Sequence, residues 1–133
     1  MAKKPVISIV DDDETAREST KDLIKAMGFL AKAFQSAEDF LKSNHLHNTS
    51  CLIADMRMPG MTGLELHGHL VGSGTCIPTI LITAFPHVRD RARALQSGVI
   101  CYLTKPFSDE ELLVCVRSAL ESGEPGEASG RLP

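Results

Sequence analysis

Acidic residues, a threonine and a lysine follow the apolar runs of this chain at matching places. Asp11, Asp12 and Asp13 come after Ile9-Val10, Asp55 after Leu52-Ile53-Ala54, Thr83 after Leu81-Ile82, and Lys105 shortly after Tyr102-Leu103. Taken alone, the acidic triplet is equally a charge cluster that favours the dipole of a following helix. Asp55 weighs against that reading, because bringing its carboxylate beside two others is strongly repulsive unless a cation lies between them. A few oxygen ligands, with room left for waters and phosphate oxygens, describe a magnesium site, with Mn²⁺ an acceptable substitute, better than a caged calcium site. Lys105 supplies a fixed positive charge opposite.

The stretch Asp55-Met56-Arg57-Met58-Pro59-Gly60-Met61-Thr62-Gly63 is the most specific in the chain. Pro59 and Gly60 favour a tight turn that lets the backbone carbonyl of Arg57 face the cation, while Thr62 starts the next helix. A purely structural loop has no need of an aspartate at the mouth of an apolar strand. Thr104-Lys105-Pro106-Phe107 puts the lysine directly before a proline; the plainer reading is an ordinary turn with the usual trans peptide bond.

Gathering these groups in one place requires a parallel sheet. Five strand-length runs rich in Val, Ile, Leu and Cys occupy 6–10, 30–34, 51–54, 79–83 and 100–103, and four are nearly unbroken apolar runs, as expected of strands covered on both faces. Helices fill the intervals. Residues 15–27 carry Ala16, Thr20, Leu23, Ile24 and Met27 at helical spacing, with Gly28 as the residue just past the end. Ser36, Thr62 and Ser108 are N-caps, followed three positions on by Asp39, Glu65 and Glu111. Residues 87–97, ended by Gly98, form the fourth helix. Strand starts lie roughly twenty to thirty residues apart, the length of a right-handed βα unit. The predicted architecture is α/β, (βα)₅, and in such a sheet ligands bind beyond the carboxyl ends of the strands. Gly72-Ser73-Gly74 is a turn, and there is no Walker loop.

A chain of 133 residues with 43% hydrophobic and 23% charged residues is expected to fold as one soluble domain, 1–122. Residues 123–133 are too poor in apolar groups to offset their ordering entropy and are expected to be a flexible tail or linker stub. A net charge of −3 with scattered basic residues offers no stripe for a phosphate backbone, so the expected partner is a protein rather than nucleic acid. No apolar run approaches the ~18 residues of a membrane span, and the first residues lead into a strand rather than a signal peptide; the expected location is the cytoplasm. Cys51, Cys76, Cys101 and Cys115 lack CxxC spacing and read as reduced, structural thiols. His45/His47 and His67/His69, two apart and without further ligands, read as surface histidines.

On these residues the chain resembles the receiver (CheY-like) domains of two-component response regulators, over roughly 4–121. The matching positions are Asp11 and Asp12 after Ile-Val, Asp55 in D-x-R-M-P-G-M-x-G, Thr83-Ala84, Tyr102, and Lys105-Pro106-Phe107. The resemblance implies a flavodoxin-like, three-layer doubly wound fold with strand order 2-1-3-4-5. It implies that a sensor histidine kinase phosphorylates Asp55 in a Mg²⁺-dependent reaction, with Asp12, Asp55 and the Arg57 carbonyl as protein ligands and Asp11 contributing weakly or through water. Lys105 and Thr83 would hold phosphoryl oxygens. Thr83 and Tyr102 would form a switch read out on the face of the fourth helix, fifth strand and fifth helix, as homodimerisation. A domain of this kind is a signalling phosphoacceptor, catalysing only its own phosphorylation and dephosphorylation. The motif is most similar to receivers of the FixJ type, whose full-length members carry a DNA-binding helix-turn-helix domain; the alternative is a stand-alone receiver acting through protein contacts. One departure is Phe85-Pro86 after Thr83-Ala84, where many relatives have a more flexible loop.

Other chemistries fit less well. A haloacid-dehalogenase-type phosphatase needs a second aspartate two residues after the nucleophile, where this chain has Arg57. A flavin-binding flavodoxin relative would place a hydroxyl- and glycine-rich loop after the first strand, where Asp11 to Asp13 would repel a phosphate. A receiver-shaped module without chemistry would have no need of the whole motif.

Overall fold

The apolar runs pair as one parallel sheet because each is separated from the next by a helix long enough to return the chain to the same edge. The computed structural model describes residues 4–122. In chain order the elements are β1 (Val6–Val10), α1 (Glu14–Ala26), β2 (Leu30–Phe34), α2 (Ala37–Lys42), a 3₁₀ turn (Leu46–Asn48), β3 (Cys51–Asp55), α3 (Gly63–Gly72), β4 (Thr79–Thr83), α4 (Val88–Gln96), β5 (Cys101–Thr104) and α5 (Asp109–Ser122). The sheet order is β2-β1-β3-β4-β5, all parallel. The expected fold class and strand order are therefore observed. Expectations for residues 123–133 lie outside the described residues.

Every residue of β3 and β4 is buried, whereas the edge strands β2 and β5 keep partly exposed positions. Alternation along each strand divides the core in two. Ile7, Ile9, Ile53, Ile80 and Ile82 face α1 and α5, meeting Ile24, Leu112 and Val116. Val10, Leu52, Ala54 and Leu81 face the other helices, meeting Phe40, Leu66, Leu70 and Ala94. The sheet is thus clamped between two helical layers, and its strand ends are rigid supports for polar groups.

The helix signals act as the spacing predicts. Thr62 and Glu65 form a reciprocal capping box at the start of α3, with hydrogen bonds of 3.1 and 2.9 Å. Ser108 and Glu111 do the same ahead of α5, at 3.0 and 2.8 Å, and the Ser36 hydroxyl accepts from the Asp39 N–H. Gly28 and Gly98 follow α1 and α4 at φ +96° and +101°, a conformation that a side chain disfavours. Boundaries differ by a residue or so: His87 caps α4 rather than opening it, and the last strand is Cys101–Thr104 rather than 100–103.

Two readings are corrected. His67 is not a surface residue: with Gly63, Leu66 and Leu70 it lies on the stripe of α3 that faces the sheet, and it is only 5% exposed. A spacing of two separates His67 from exposed His69 but does not say which of them points inward. The Lys105–Pro106 peptide bond is cis rather than trans. The four cysteines are free, as expected; Cys76 is exposed, while burial pushes the Cys51 thiol up and the Cys115 thiol up to about 12.

Candidate metal and phosphoryl site

Parallel pairing brings the carboxyl ends of β1, β3, β4 and β5 to one rim of the sheet. β1 ends at Val10, so the backbone of Asp11 continues the ladder to Phe34 (3.1 Å) while its side chain turns into the cleft, fully buried. Asp11 Oδ1 accepts the Asp13 N–H at 3.0 Å, and Oδ2 accepts Lys105 Nζ at 3.2 Å. Asp55, the last residue of β3, is 7% exposed; its Oδ1 accepts the Arg57 N–H at 2.8 Å and its Oδ2 accepts Lys105 Nζ at 2.9 Å. Asp12 is exposed. One carboxylate oxygen from each of Asp11, Asp12 and Asp55 lies within 4.8 Å of the others.

Charge in this cluster is partly balanced by one lysine. Burial raises the pKa of Asp11, helped by the Asp55 charge and opposed by the Asp13 N–H and Lys105. Burial alone would lower the Lys105 pKa, yet hydrogen bonds to Asp55 and the charges of Asp11 and Asp55 outweigh it and leave it raised. A single ammonium against three carboxylates leaves the cluster anionic, an arrangement that a small hard dication would relieve.

The remaining predicted residues surround this cluster unequally. Thr83 ends β4, is fully buried, and its hydroxyl accepts the Phe85 N–H at 3.0 Å, so its proton is available to donate elsewhere. Lys105 follows β5 directly, held by its own N–H on the Thr83 carbonyl at 2.8 Å. Arg57 directs its side chain outward: its guanidinium lies 5.9 Å from the Phe85 ring centroid and 3.9 Å from Asp90 on α4. Tyr102 is half-buried against the core beneath α4, and its hydroxyl is buried without a hydrogen-bond partner among the described residues. Thus Asp11, Asp12, Asp55 and Lys105 come together directly, while Tyr102 is displaced along β5.

Asp90 and Arg17 escaped the sequence reading, and Gly63 had a place there in the motif but no role. Gly63 opens α3 directly against the end of β3: a Cβ there would stand 2.4 Å from the Asp55 carbonyl oxygen. Asp90 anchors the Arg57 side chain. Arg17 Nη1 donates to the Asp11 carbonyl at 2.9 Å. Of Asp90 and Arg17, only Arg17 had a local signal, a cation in the early turns of a helix whose N-terminus favours anions.

A parallel five-stranded sheet in this order with an acidic cleft and a lysine at its switch point defines a receiver domain. The chain belongs to the response regulator receiver domain family, whose model matches residues 7–117. It is 38% identical over 119 residues to the response regulator protein TmoT of Ectopseudomonas mendocina, covering 90% of this chain and 54% of that one. It is 37% identical over 118 residues to nodulation protein W of Bradyrhizobium diazoefficiens, covering 89% and 52%. The crystal structure of FixJ-N superposes with a TM-score of 0.81 at 33% identity, covering 90% of this chain and 96% of that one. The chain spans about half the length of these curated relatives. Among the described residues no helix is long and apolar enough to cross a membrane.

Proposed function

We propose that residues 1–122 accept a phosphoryl group on Asp55 from the phosphohistidine of a sensor histidine kinase and relay it as a conformational signal, in the cytoplasm. The observation that carries this reading is the pair of hydrogen bonds from one Lys105 ammonium to Asp11 and Asp55, at 3.2 and 2.9 Å, inside a three-carboxylate cluster. The donor set is all oxygen, anionic and open on the Asp12 side, which fits Mg²⁺ or Mn²⁺ held by Asp11, Asp12, Asp55 and the Arg57 carbonyl. The ion would supply charge neutralisation between nucleophile and phosphoryl oxygens.

The chain's own residues do the rest. An Asp55 oxygen attacks phosphorus in line as the P–N bond of a phosphohistidine protonated on its other ring nitrogen breaks, giving an acyl phosphate on Asp55 and a neutral imidazole that keeps that proton. Asp55 is oriented for this by the Arg57 N–H on Oδ1. Lys105 is placed to transfer its hydrogen bond from Oδ2 of Asp55 to a phosphoryl oxygen, and the Thr83 hydroxyl to donate to another. In a longer protein the signal would control transcription, a reading supported by the printed name of one relative, the transcriptional regulatory protein FixJ of Bradyrhizobium diazoefficiens, 31% identical over 129 residues.

Intact-mass measurement after incubation with acetyl phosphate and Mg²⁺ tests the assignment. The wild type is expected to gain one phosphate adduct, and Asp55→Asn none. A full adduct in Asp55→Asn, or unchanged labelling in EDTA, sinks it.

A further inference from the structure

We propose that Arg17 is a positioning residue for divalent-cation binding, acting through the backbone between Asp11 and Asp12 without touching the ion or the phosphoryl group. The inference rests on the proposed reading of Asp11, Asp12 and Asp55 as a Mg²⁺ site. Two of those carboxylates are tied down by the protein: Asp11 by the Asp13 N–H and Lys105, and Asp55 by the Arg57 N–H and Lys105. Asp12 is exposed, and among the described residues nothing hydrogen-bonds its side chain. With no partner of its own, its side chain is placed only by the backbone that carries its Cα–Cβ bond, including the peptide plane that joins it to Asp11.

The oxygen of that peptide plane accepts the 2.9 Å hydrogen bond from Arg17 Nη1. The same residue also holds the far side of the loop, since the Arg17 N–H donates to the Asp13 carbonyl at 2.9 Å, while Asp13 caps α1 through the Ala16 N–H at 3.3 Å. Arg17 thus grips the acidic turn on both sides of Asp12, once through its side chain and once through its backbone. The planar guanidinium suits this, because its orientation fixes the line of the hydrogen bond.

Charge and geometry predict opposite outcomes when that guanidinium is removed. A cation near the cluster repels an incoming dication, so on charge alone its loss tightens metal binding. If its work is to hold the Asp11–Asp12 peptide, its loss lets Asp12 wander and binding weakens. Outer partners that orient metal ligands are typically worth on the order of tenfold or more in affinity.

The test is calorimetric titration of Mg²⁺, with Mn²⁺ as a second probe, into the unphosphorylated chain. Arg17→Met keeps the aliphatic stem and removes the guanidinium; its Kd is expected to rise about tenfold. Lys21→Ala removes a neighbouring α1 cation that pairs with Glu18 at 3.7 Å, and its Kd is expected to stay level or fall. A readout without metal accompanies these: in Arg17→Met, amide exchange at Asp13, whose N–H donates to Asp11, should accelerate in EDTA. An Arg17→Met Kd equal to or below that of the wild type, or unchanged Asp13 exchange, overturns the role of Arg17. Failure of the underlying site looks different: the wild type would then bind no Mg²⁺, or Asp12→Asn would bind it as well as the wild type.

Discussion

At the scale of single residues, the lifetime of the proposed acyl phosphate depends on who admits water. Arg57 and Phe85 stand together beside the cleft, Arg57 over the ring and braced by Asp90, and Pro86 restricts the backbone of Phe85. Neither side chain is a base able to orient an attacking water, so self-hydrolysis should be slow. The Arg57→Asn, Phe85→Glu double variant should lose its adduct faster by on the order of tenfold or more, followed by intact mass after donor removal; slower decay than the wild type counts against the idea. His67 makes a prediction of another kind. Burial lowers its pKa from 6.5, and its Nδ1 has no hydrogen-bond partner among the described residues. Between the lowered folded pKa and the unfolded 6.5, the unfolded chain binds more protons, so stability rises with pH across that window and is lost as pH falls through it. Thermal unfolding of the wild type should therefore lose midpoint from pH 7.5 to 5.5, and His67→Phe should lose less; equal losses would show that His67 does not titrate in this way.

At the scale of elements, the strand ends deliver the site and the helix starts hold it. Gly63 and Gly68 lie on the same helix, and their environments predict opposite effects of one methyl group. A Cβ at Gly63 would meet the Asp55 carbonyl oxygen at 2.4 Å, its carbon at 2.9 Å and Leu81 Cδ2 at 3.0 Å, and backbone cannot yield as a flexible side chain does. Gly63→Ala should cost about 1–3 kcal/mol and slow adduct formation, because relief of the clash moves Asp55. A Cβ at Gly68 meets nothing within 4 Å, so Gly68→Ala should stabilise the chain by roughly 0.5–1 kcal/mol through helix propensity. Chemical denaturation of both variants checks the pair, and a neutral Gly63→Ala would refute the close-approach account.

At the scale of the whole molecule, a signal made at the strand ends has to reach a surface. The Thr83 hydroxyl is the proposed donor to a new phosphoryl anion, and the hydroxyl of Tyr102 is buried without a partner among the described residues, a condition that costs about 1–3 kcal/mol. An outward rotamer would hydrate that hydroxyl and an inward one would keep the ring packed, and in the proposed switch a small change at Thr83 would bias Tyr102 between them. The neighbouring face of α4 exposes Val88 (85%) and Leu95 (41%) beside Arg91 and Ala92, apolar contacts flanked by charge. Homodimerisation through α4, β5 and α5 is the expected readout. Sedimentation should show a monomer without beryllofluoride and a dimer with it, and Thr83→Ala should weaken that shift. A chain that stays monomeric at high concentration under beryllofluoride, with spectra insensitive to Thr83→Ala, would remove this face from the mechanism.

Most of the fold and the centre of the site were legible in the sequence because they rest on local rules. Unbroken apolar runs marked the buried strands, capping pairs such as Thr62/Glu65 marked helix starts, and Asp11, Asp12, Asp55 and Lys105 interrupted the pattern at strand ends, where parallel pairing necessarily gathers them. What tertiary structure decided were relations between elements that have no local signature. The face of α3 that meets the sheet put His67 inside and His69 outside. The closeness of α3 to β3 made Gly63 a contact of Asp55. The bond from Arg17 to the Asp11 carbonyl, and the contact of Asp90 on α4 with the Arg57 side chain, depend on how helices lie against strand ends, a geometry set by packing over the whole sheet rather than by spacing along the chain.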